Sequence, residues 1–221
     1  MSTSYTLKEY PFLFITDSTR SGGRTNIEII RDALEGGARW IMYREPQLSD
    51  KEFYGEAVQV KEMCEEVGAG LILNDRLDIA ALIRAEGVHL GSNDLPVRVV
   101  KEYMGDDFYV GYSAHSEKEA LTIAWEGADY ITFSPIFDLE HKDSKWPPHG
   151  IEGSKQVYNK IKIPIFLLGG IRLPDLATLR EAIPNVKVAG VSMIAAASNV
   201  MDAIEEVLTA LDAPMATQED S

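Results

Sequence analysis

The sequence contains a single cysteine, Cys64, so it can form neither an internal disulfide bond nor a zinc-thiolate cluster. It also lacks any apolar run close to the roughly 18 residues that a membrane-spanning helix needs. Residues 1–10 lack the basic and apolar regions of a secretory signal. These absences predict a cytoplasmic protein that is not embedded in a membrane.

Positive charge is scarce as well. The chain has 21 Lys and Arg residues against 35 Asp and Glu residues, which gives a formal net charge of −14. Nucleic-acid binding depends on clustered Lys and Arg that neutralise phosphates, so this balance argues against such a partner. A small anionic ligand is still compatible with the charge, because a few local cations or backbone amides can outweigh the global field.

Short apolar, β-branched runs alternate with longer segments of helical period, and the pair recurs eight times. This alternation predicts a parallel sheet covered by helices, and eight repeats predict a (β/α)8 TIM barrel. A doubly wound open sheet is the alternative, but the turn TDSTRSGGRTN after the first strand lacks its GxGxxG spacing. We predict one barrel domain over residues 1–211 and a disordered tail over residues 212–221. The predicted strands are residues 12–16, 39–43, 71–74, 87–90, 108–112, 129–133, 163–168 and 186–191.

Carboxylates follow two neighbouring strands of the predicted barrel. The carboxyl ends of all its strands meet at one mouth, where barrel enzymes do their chemistry. Asp75 and Asp94 lie at successive strand ends, with Asn74 beside the first. Magnesium favours carboxylate oxygens and keeps water and substrate phosphate as its other ligands, so the pair suits a magnesium site. The alternative is that each aspartate caps the following helix.

Cations and glycines at other strand ends suit an anionic ligand. Arg44 follows the second strand and Lys142 lies in the sixth loop; both are candidate phosphate contacts, or else solvated surface charges. Gly169-Gly170 precedes the seventh helix, and Gly190-Val191-Ser192 repeats the arrangement at the eighth strand. Glycines there let backbone amides approach a phosphate, although a tight turn needs glycine too.

The sixth loop, SPIFDLEHKDSKWPPHG, is 17 residues long and has the length of a lid or binding loop. His89 alternates with apolar neighbours in GVHLG and is predicted to be a hydrogen-bonded structural residue. His115 lies two residues after Ser113 and is a candidate to cap or orient that serine. The spacing does not establish a Ser-His-Asp relay. Residues that share the barrel mouth need not lie at hydrogen-bonding distance from one another.

Nine segments in matching order, from about residue 12 to residue 195, resemble motifs of the thiamine-phosphate synthase family and its relative, the thiazole tautomerase. They read FITD, YRE, LNDRLDIA, GVHLGSNDLP, GYSAHSEKEA, GADYITFSPIF, HGIEG, LLGGI and AGVSMI. The resemblance implies a barrel that joins hydroxymethylpyrimidine diphosphate to thiazole phosphate and releases pyrophosphate, with magnesium present. It also implies that pyrophosphate departs first, leaving a cation that the thiazole nitrogen captures.

The resemblance implies roles for single residues. Asp75 and Asp94 resemble the magnesium ligands of the family, Arg44 and Asn74 resemble diphosphate contacts, and Lys142 resembles the sixth-loop lysine that binds diphosphate.

Further positions match family contacts to the pyrimidine and to the thiazole phosphate. Ser113 matches the serine beside the pyrimidine, whereas Gly170, Val191 and Ser192 match contacts to the thiazole phosphate. The residues expected to take part in catalysis are Arg44, Ser113 and Lys142. The implied partners are thus small phosphorylated substrates; a homo-oligomer is left open.

The chain departs from the family pattern in two motifs. The usual Gln-x-Arg-x-Lys of the second strand has Met42 and Pro46 at its ends, and the Thr-x-Thr of the sixth loop has Leu139 and His141. A glutamine, a lysine and two hydroxyls are therefore absent, and Lys145 is the candidate replacement for the lysine.

Two alternatives to the synthase are a thiazole tautomerase-like isomerase and a degenerate, non-catalytic barrel that binds thiazole phosphate. The tautomerase carries a histidine where this chain has Pro135, and it tends to lose the metal-binding acids. Asp75 and Asp94 are both kept here, which favours the synthase.

Overall fold

The computed structural model describes residues 6–139 and 145–212. Eight parallel strands form a closed barrel in chain order, with β1 pairing with β8, and this confirms the predicted (β/α)8 architecture. Of the predicted tail, residues 213–221 lie outside the described part of the chain. The strands are β1 Phe12–Ile15, β2 Trp40–Tyr43, β3 Gly70–Asn74, β4 Gly87–Leu90, β5 Tyr109–Ala114, β6 Tyr130–Phe133, β7 Ile165–Leu167 and β8 Lys187–Gly190.

Helices follow the strands and cover the outside of the barrel. In the described residues they are α1 Asn26–Glu35, α2 Asp50–Glu66, α3 Leu77–Ile83, α4 Val97–Met104, α5 Glu117–Trp125, α6 Gly150–Lys160, α7 Asp175–Ala182, α8 Ser192–Ala195 and α9 Val200–Ala210. A 3-10 turn, Ser18–Arg20, lies between β1 and α1. Both α1 and α2 begin with a capping box, in which a hydroxyl and a glutamate bond reciprocally across the first turn.

The segment after β8 differs from the sequence prediction. The eight strand-helix pairs predicted from the sequence imply one helix there, whereas the structure has the short α8 and a separate α9. The side chain of Asn199 accepts a hydrogen bond from the backbone N–H of Asp202 and caps α9 at its start. Arg24 donates to the carbonyls of Ala195 (3.0 Å) and Ala197 (2.7 Å), so groups at the end of α8 have partners outside the helix. These two sets of bonds make a break more favourable than a continuous helix.

Large aromatic side chains fill the barrel interior opposite glycines. A Cβ at Gly111 would overlap the Tyr130 ring, and one at Gly70 would overlap the Trp40 ring. Glycine at these two strand positions therefore makes room for a ring inside the barrel, which is packed solid rather than hollow. Side chains alternate along a strand, so Ser113, two residues after Gly111, faces the same interior nearer the mouth.

The helices bury one apolar stripe each against the strands. Along α2, Phe53, Ala57, Val60 and Cys64 lie at spacings of three and four residues and form one buried stripe. Burial raises the pKa of the Cys64 thiol to about 12, so this lone cysteine is a core residue with little thiolate character. Among the described residues, no helix is both long enough and apolar enough to span a membrane.

Candidate active site

Asp75 and Asp94 come together at the mouth of the barrel. Asp75 directly follows β3, and its carboxyl group lies within hydrogen-bonding reach of that of Asp94. Desolvation first, and the negative charge of Asp94 second, raise the pKa of Asp75 to about 6. Partial desolvation is the larger cause of this rise, and repulsion between the two carboxylates adds to it.

Neither aspartate caps a helix, contrary to the alternative interpretation of the sequence. The residues at the starts of α3 and α4 are Arg76 and Pro96, and neither helix start has a side-chain capping bond. Asp75 adopts a left-handed backbone conformation, with φ at 62°. Asp94 points backward and accepts a hydrogen bond from the N–H of Gly91 at 2.6 Å. Helix capping therefore does not account for the positions of the Asp75 and Asp94 side chains.

Arg44 and Asn74 flank this carboxylate pair. The positive charge of Arg44 and a hydrogen bond from Asn74 both act to lower the pKa of Asp75, against the larger upward effects. Arg44 is half-buried and forms no salt bridge with any described residue. A guanidinium held beside two carboxylates without pairing to either is suited to a dianionic ligand that brings its own charge.

Glu45 is a buried structural residue at the mouth, and the sequence did not distinguish it from the other strand-end residues. It is 1% exposed, and its carboxylate accepts bonds from the N–H of Ser18 (3.2 Å), the hydroxyl of Ser18 (2.7 Å) and the side chain of Gln47 (2.5 Å). These bonds join the segment after β1 to the segment after β2. The Glu45 carboxylate therefore connects two loops of the mouth through its hydrogen bonds, and it is not a candidate ligand contact.

Ser113 is bonded to His89, not to His115. The Nε2 atom of His89 lies 2.9 Å from the Ser113 hydroxyl, and its Nδ1 atom lies 2.9 Å from the hydroxyl of Tyr130. The prediction that His89 is a hydrogen-bonded structural residue is confirmed. His115 contacts Ser134 instead, through Nδ1 at 3.0 Å from the carbonyl oxygen, so the prediction that it orients Ser113 is wrong. His115 is the first residue after β5, whereas His89 lies within β4.

The sixth loop is described in part. The candidate Lys142 lies outside the described residues, as does His141. On the far side of that gap, Trp146 stacks on His115 with the ring planes 7° apart and the centroids 5.6 Å apart. Lys145 is exposed beside it. The stack anchors this part of the loop over the end of β5, near the mouth.

The glycines after β7 have a packing role. Gly170 has a φ of 72°, and a Cβ there would lie 2.6 Å from the carbonyl oxygen of Phe137 and 2.7 Å from that of Asp138. The sixth loop therefore rests directly on the backbone of Gly170. The alternative that the glycine pair serves backbone geometry is thus supported for this position, and a ligand contact by its N–H is compatible with it.

Val191 and Ser192 lie at the neighbouring strand end. Ser192 is the first residue of α8, so the first N–H groups of that helix have no acceptor within the helix. Gly190 packs against β1, because a Cβ there would lie 2.9 Å from the Phe12 ring. The mouth thus has cations and carboxylates at the β2, β3 and β4 ends and backbone N–H groups at the β8 end.

Comparison with known proteins identifies the family. A family model described as thiamine monophosphate synthase matches residues 12–200. The chain belongs to the thiamine monophosphate synthase family. This confirms the resemblance inferred from the nine sequence motifs.

Individual members of this family are similar over most of their length. The thiamine-phosphate synthase of Dictyoglomus thermophilum is 39% identical over 165 residues, which cover 75% of this chain and 74% of that protein. That of Fusobacterium nucleatum is 34% identical over 202 residues, covering 91% and 97%. Among solved structures, a thiamine phosphate pyrophosphorylase from Pyrococcus furiosus superposes with a TM-score of 0.84 at 28% identity, covering 93% of this chain and 97% of that one.

Two of the four departures from the family motifs have a packing explanation. Met42 is 1% exposed and pairs in register with Ile15 and Ile72, so it belongs to the packed apolar interior. Pro46 is exposed at the mouth. Leu139 is half-buried, and its Cδ2 would lie 3.5 Å from a Cβ at Gly169. Met42 and Leu139 therefore exchange polar groups for apolar packing, whereas nothing in the structure explains Pro46 and His141 lies outside the described residues.

Proposed function

We propose that this protein is a thiamine-phosphate synthase, a transferase that joins hydroxymethylpyrimidine diphosphate to thiazole phosphate and yields thiamine phosphate and pyrophosphate. The observation that carries the proposal is the convergence of Asp75, Asp94, Arg44 and Asn74 at three successive strand ends. Membership of the family supports it, as do the matched relatives, which are named as thiamine-phosphate synthases.

The carboxylate pair fits a magnesium ion. No group of three or more His, Cys, Asp or Glu residues suited to a metal occurs within residues 6–139 and 145–212. The proposed site therefore offers two protein carboxylates, those of Asp75 and Asp94. Magnesium matches such a set, since it binds through one or two carboxylates and keeps water and substrate phosphate. Repulsion by Asp94 contributes to the raised pKa of Asp75, after desolvation, and a divalent cation would relieve that repulsion. Asp75 and Asp94 would hold the ion, which would neutralise charge on the departing diphosphate.

The reaction demands binding and charge neutralisation more than a general base. The bond between the pyrimidine methylene carbon and the diphosphate oxygen breaks, and its electron pair leaves with the diphosphate. The lone pair of the thiazole nitrogen then forms the new bond to that carbon. Arg44 and Asn74 bind the diphosphate, with Lys142 or Lys145 as the contributing lysine of the sixth loop. Preorganised cations of this kind act on charge that develops as the bond breaks.

The thiazole phosphate is held at the other side of the mouth. Gly170, Val191 and Ser192 would contact it, mainly through backbone N–H groups at the start of α8. Holding both substrates in one mouth replaces an encounter in solution by an intramolecular step. Phe137 and Asp138, at the start of the sixth loop, rest on Gly170, and this loop is the candidate for excluding water from the reacting carbon.

A product assay tests this function directly. Purified protein is incubated with both phosphorylated precursors and magnesium, and thiamine phosphate is quantified by mass spectrometry. We expect product from the wild type, and a loss of roughly a hundredfold or more in Asp75→Ala and Asp94→Ala. Asp106→Ala is the matched control, because Asp106 is an exposed aspartate between α4 and β5, at the opposite end of the barrel. Absence of product at high enzyme concentration would reject the proposal.

A chelator separates the synthase from the tautomerase-like alternative. The proposed synthase should lose activity in excess chelator and regain it when magnesium is restored. An activity on the thiazole substrate alone that persists in the chelator would instead indicate an isomerase that needs no metal. Binding of thiazole phosphate without turnover of any substrate pair would indicate a non-catalytic barrel.

A further inference from the structure

Four polar side chains from three neighbouring strands form a connected cluster inside the barrel. They are His89 on β4, Ser113 on β5, and Tyr130 and Thr132 on β6. Three of them are at most 2% exposed, and Ser113 alone is half-buried. Ser113 is therefore the point at which this cluster reaches the mouth.

The protonation of the cluster follows from its burial. His89 is 2% exposed, and its ring nitrogens face the uncharged hydroxyls of Tyr130, Ser113 and Thr132. The imidazole therefore has no counter-charge among these partners and is neutral. Burial raises the pKa of Tyr130 well above its ordinary value, so the phenol keeps its proton. A neutral imidazole has one N–H donor and one acceptor nitrogen, and each hydroxyl has one proton to donate.

The hydrogen-bond inventory then assigns the tautomer of His89. The hydroxyl of Tyr130 has His89 Nδ1, at 2.9 Å, as its partner among the described residues. A buried phenol proton requires an acceptor, so Tyr130 donates and Nδ1 accepts. The proton of the imidazole must then be on Nε2, which faces the Ser113 hydroxyl at 2.9 Å and the Thr132 hydroxyl at 3.2 Å.

The same count of donors and acceptors assigns the direction of the hydrogen bond between the Thr132 and Ser113 hydroxyls. Thr132 is 0% exposed, and because His89 Nε2 already carries a proton, it cannot accept from Thr132. Thr132 therefore donates to Ser113, whose oxygen lies 3.3 Å away. Ser113 thus accepts from both neighbours, and its own proton has no acceptor within the cluster.

We propose that Tyr130, His89 and Thr132 are positioning residues that make the Ser113 hydroxyl a one-way hydrogen-bond donor toward the barrel mouth. Resting on the proposed function, the recipient is an acceptor atom of the pyrimidine substrate, such as a ring nitrogen lone pair. The arrangement also excludes Ser113 as a nucleophile activated by His89, because a protonated Nε2 cannot remove the serine proton.

Nitrogen chemical shifts test the tautomer without any substrate. The protein has four histidines, and in a sample with ¹⁵N-labelled histidine the His89→Gln variant identifies the signals of His89. We expect His89 to carry its proton on Nε2 and none on Nδ1 at neutral pH. A proton on Nδ1 in the wild type would overturn the proposal. Because this readout needs no turnover, it decides the proposal even if the product assay rejects the synthase function.

Tyr130→Phe removes the group that selects the tautomer. In that variant His89 should populate both tautomers, so Ser113 donates to His89 for part of the time. We expect kcat/KM to fall by roughly threefold to tenfold, the effect of one hydrogen bond. Tyr158→Phe is the matched control, since Tyr158 is a half-buried tyrosine whose hydroxyl bonds the backbone of Ile165 and Lys187. The control should leave the His89 shifts unchanged.

A double-mutant cycle separates positioning from general stability. If Tyr130 acts through Ser113, Tyr130→Phe should change kcat/KM less than about twofold in a Ser113→Ala background. His89→Gln should retain most activity, because an amide can accept from Tyr130 and donate to Ser113. A loss from Tyr130→Phe that is equally large with and without the Ser113 hydroxyl would assign Tyr130 a purely structural role and overturn the proposal.

Discussion

Thr16 and Arg44 hold each other at the ends of neighbouring strands. The backbone N–H of Arg44 donates to the Thr16 hydroxyl at 2.9 Å, and the same hydroxyl donates to the Arg44 carbonyl at 3.3 Å. Thr16 is 2% exposed, so these bonds are shielded from water. The backbone from which the Arg44 guanidinium extends is thereby fixed relative to β1.

Replacing Thr16 by valine should loosen Arg44 without changing the shape of the core. Thr16→Val removes both bonds and leaves the Arg44 N–H buried without its acceptor, so the guanidinium is less well placed for a diphosphate. We expect the KM for the pyrimidine diphosphate to rise by roughly threefold to tenfold in steady-state assays. Thr16→Ser keeps the hydroxyl and should behave like the wild type. Equal KM values for the serine and valine variants would contradict this role.

Asp75→Asn should stabilise the protein while it abolishes activity. The pKa of Asp75 is about 6 in the folded protein, against an ordinary value of 3.8. A raised pKa favours the fold at low pH, and this contribution is lost as the pH rises through about 6. The variant should therefore gain stability over the wild type as the pH rises from about 4 to about 7. Because Asp75 is exposed, solvent screening limits the gain to on the order of 1 kcal/mol.

Urea unfolding of both proteins without added metal, at several pH values, measures this gain. Asparagine also tolerates the positive φ of 62° at this position, so the backbone adds no penalty. A stability difference that does not change with pH would show that ionisation of Asp75 is not its origin.

His89 should make the wild type sensitive to acid. Burial lowers its pKa from 6.5 to about 3, so its contribution to stability is full above about 6.5 and is lost as the pH falls toward about 3. His89→Gln has no such proton to bind. We expect the free energy of unfolding to decrease by roughly 2–4 kcal/mol less in the variant than in the wild type over this range. Parallel pH profiles from urea titrations would argue against a buried neutral imidazole.

Gly170→Ala should be more destabilising than strain alone explains. At Gly170 the φ is positive and the new Cβ would meet the Phe137 carbonyl at 2.6 Å. Gly22 also has a positive φ, 64°, but no atom lies within 4 Å of the position that a Cβ would take there, so Gly22→Ala isolates the backbone strain. We expect about 1 kcal/mol of destabilisation for Gly22→Ala and roughly 1–3 kcal/mol more for Gly170→Ala.

Thermal and chemical unfolding compare the two glycine variants. Gly170→Ala should also raise the KM for the thiazole phosphate, because it displaces the sixth loop from its support. Equal destabilisation of both variants would mean that displacing the sixth loop from Gly170 costs no measurable free energy of unfolding.

Local patterns in the amino-acid sequence are sufficient to predict the architecture and the family. Periods of two and of 3.6 residues are properties of neighbours along the chain, so eight strand-helix pairs can be recognised without tertiary contacts. The order of elements then places every strand end at one mouth, and Asp75, Asp94, Arg44 and Asn74 can be grouped there before any distance is known.

Which of those residues are in contact, and which protonation state each has, depends on the packing of the folded barrel. The bond from His89 to Ser113 depends on the register between β4, β5 and β6, and a shift of one residue would turn the side chains to the opposite face. The burial of Glu45 and the contact of Gly170 with the sixth loop depend on how loops from distant parts of the chain pack. The raised pKa of Asp75 likewise exists only because folding brings Asp94 beside it in a partly desolvated mouth. Local periodicity cannot encode such contacts, because they join residues far apart in sequence whose spacing the closed barrel sets.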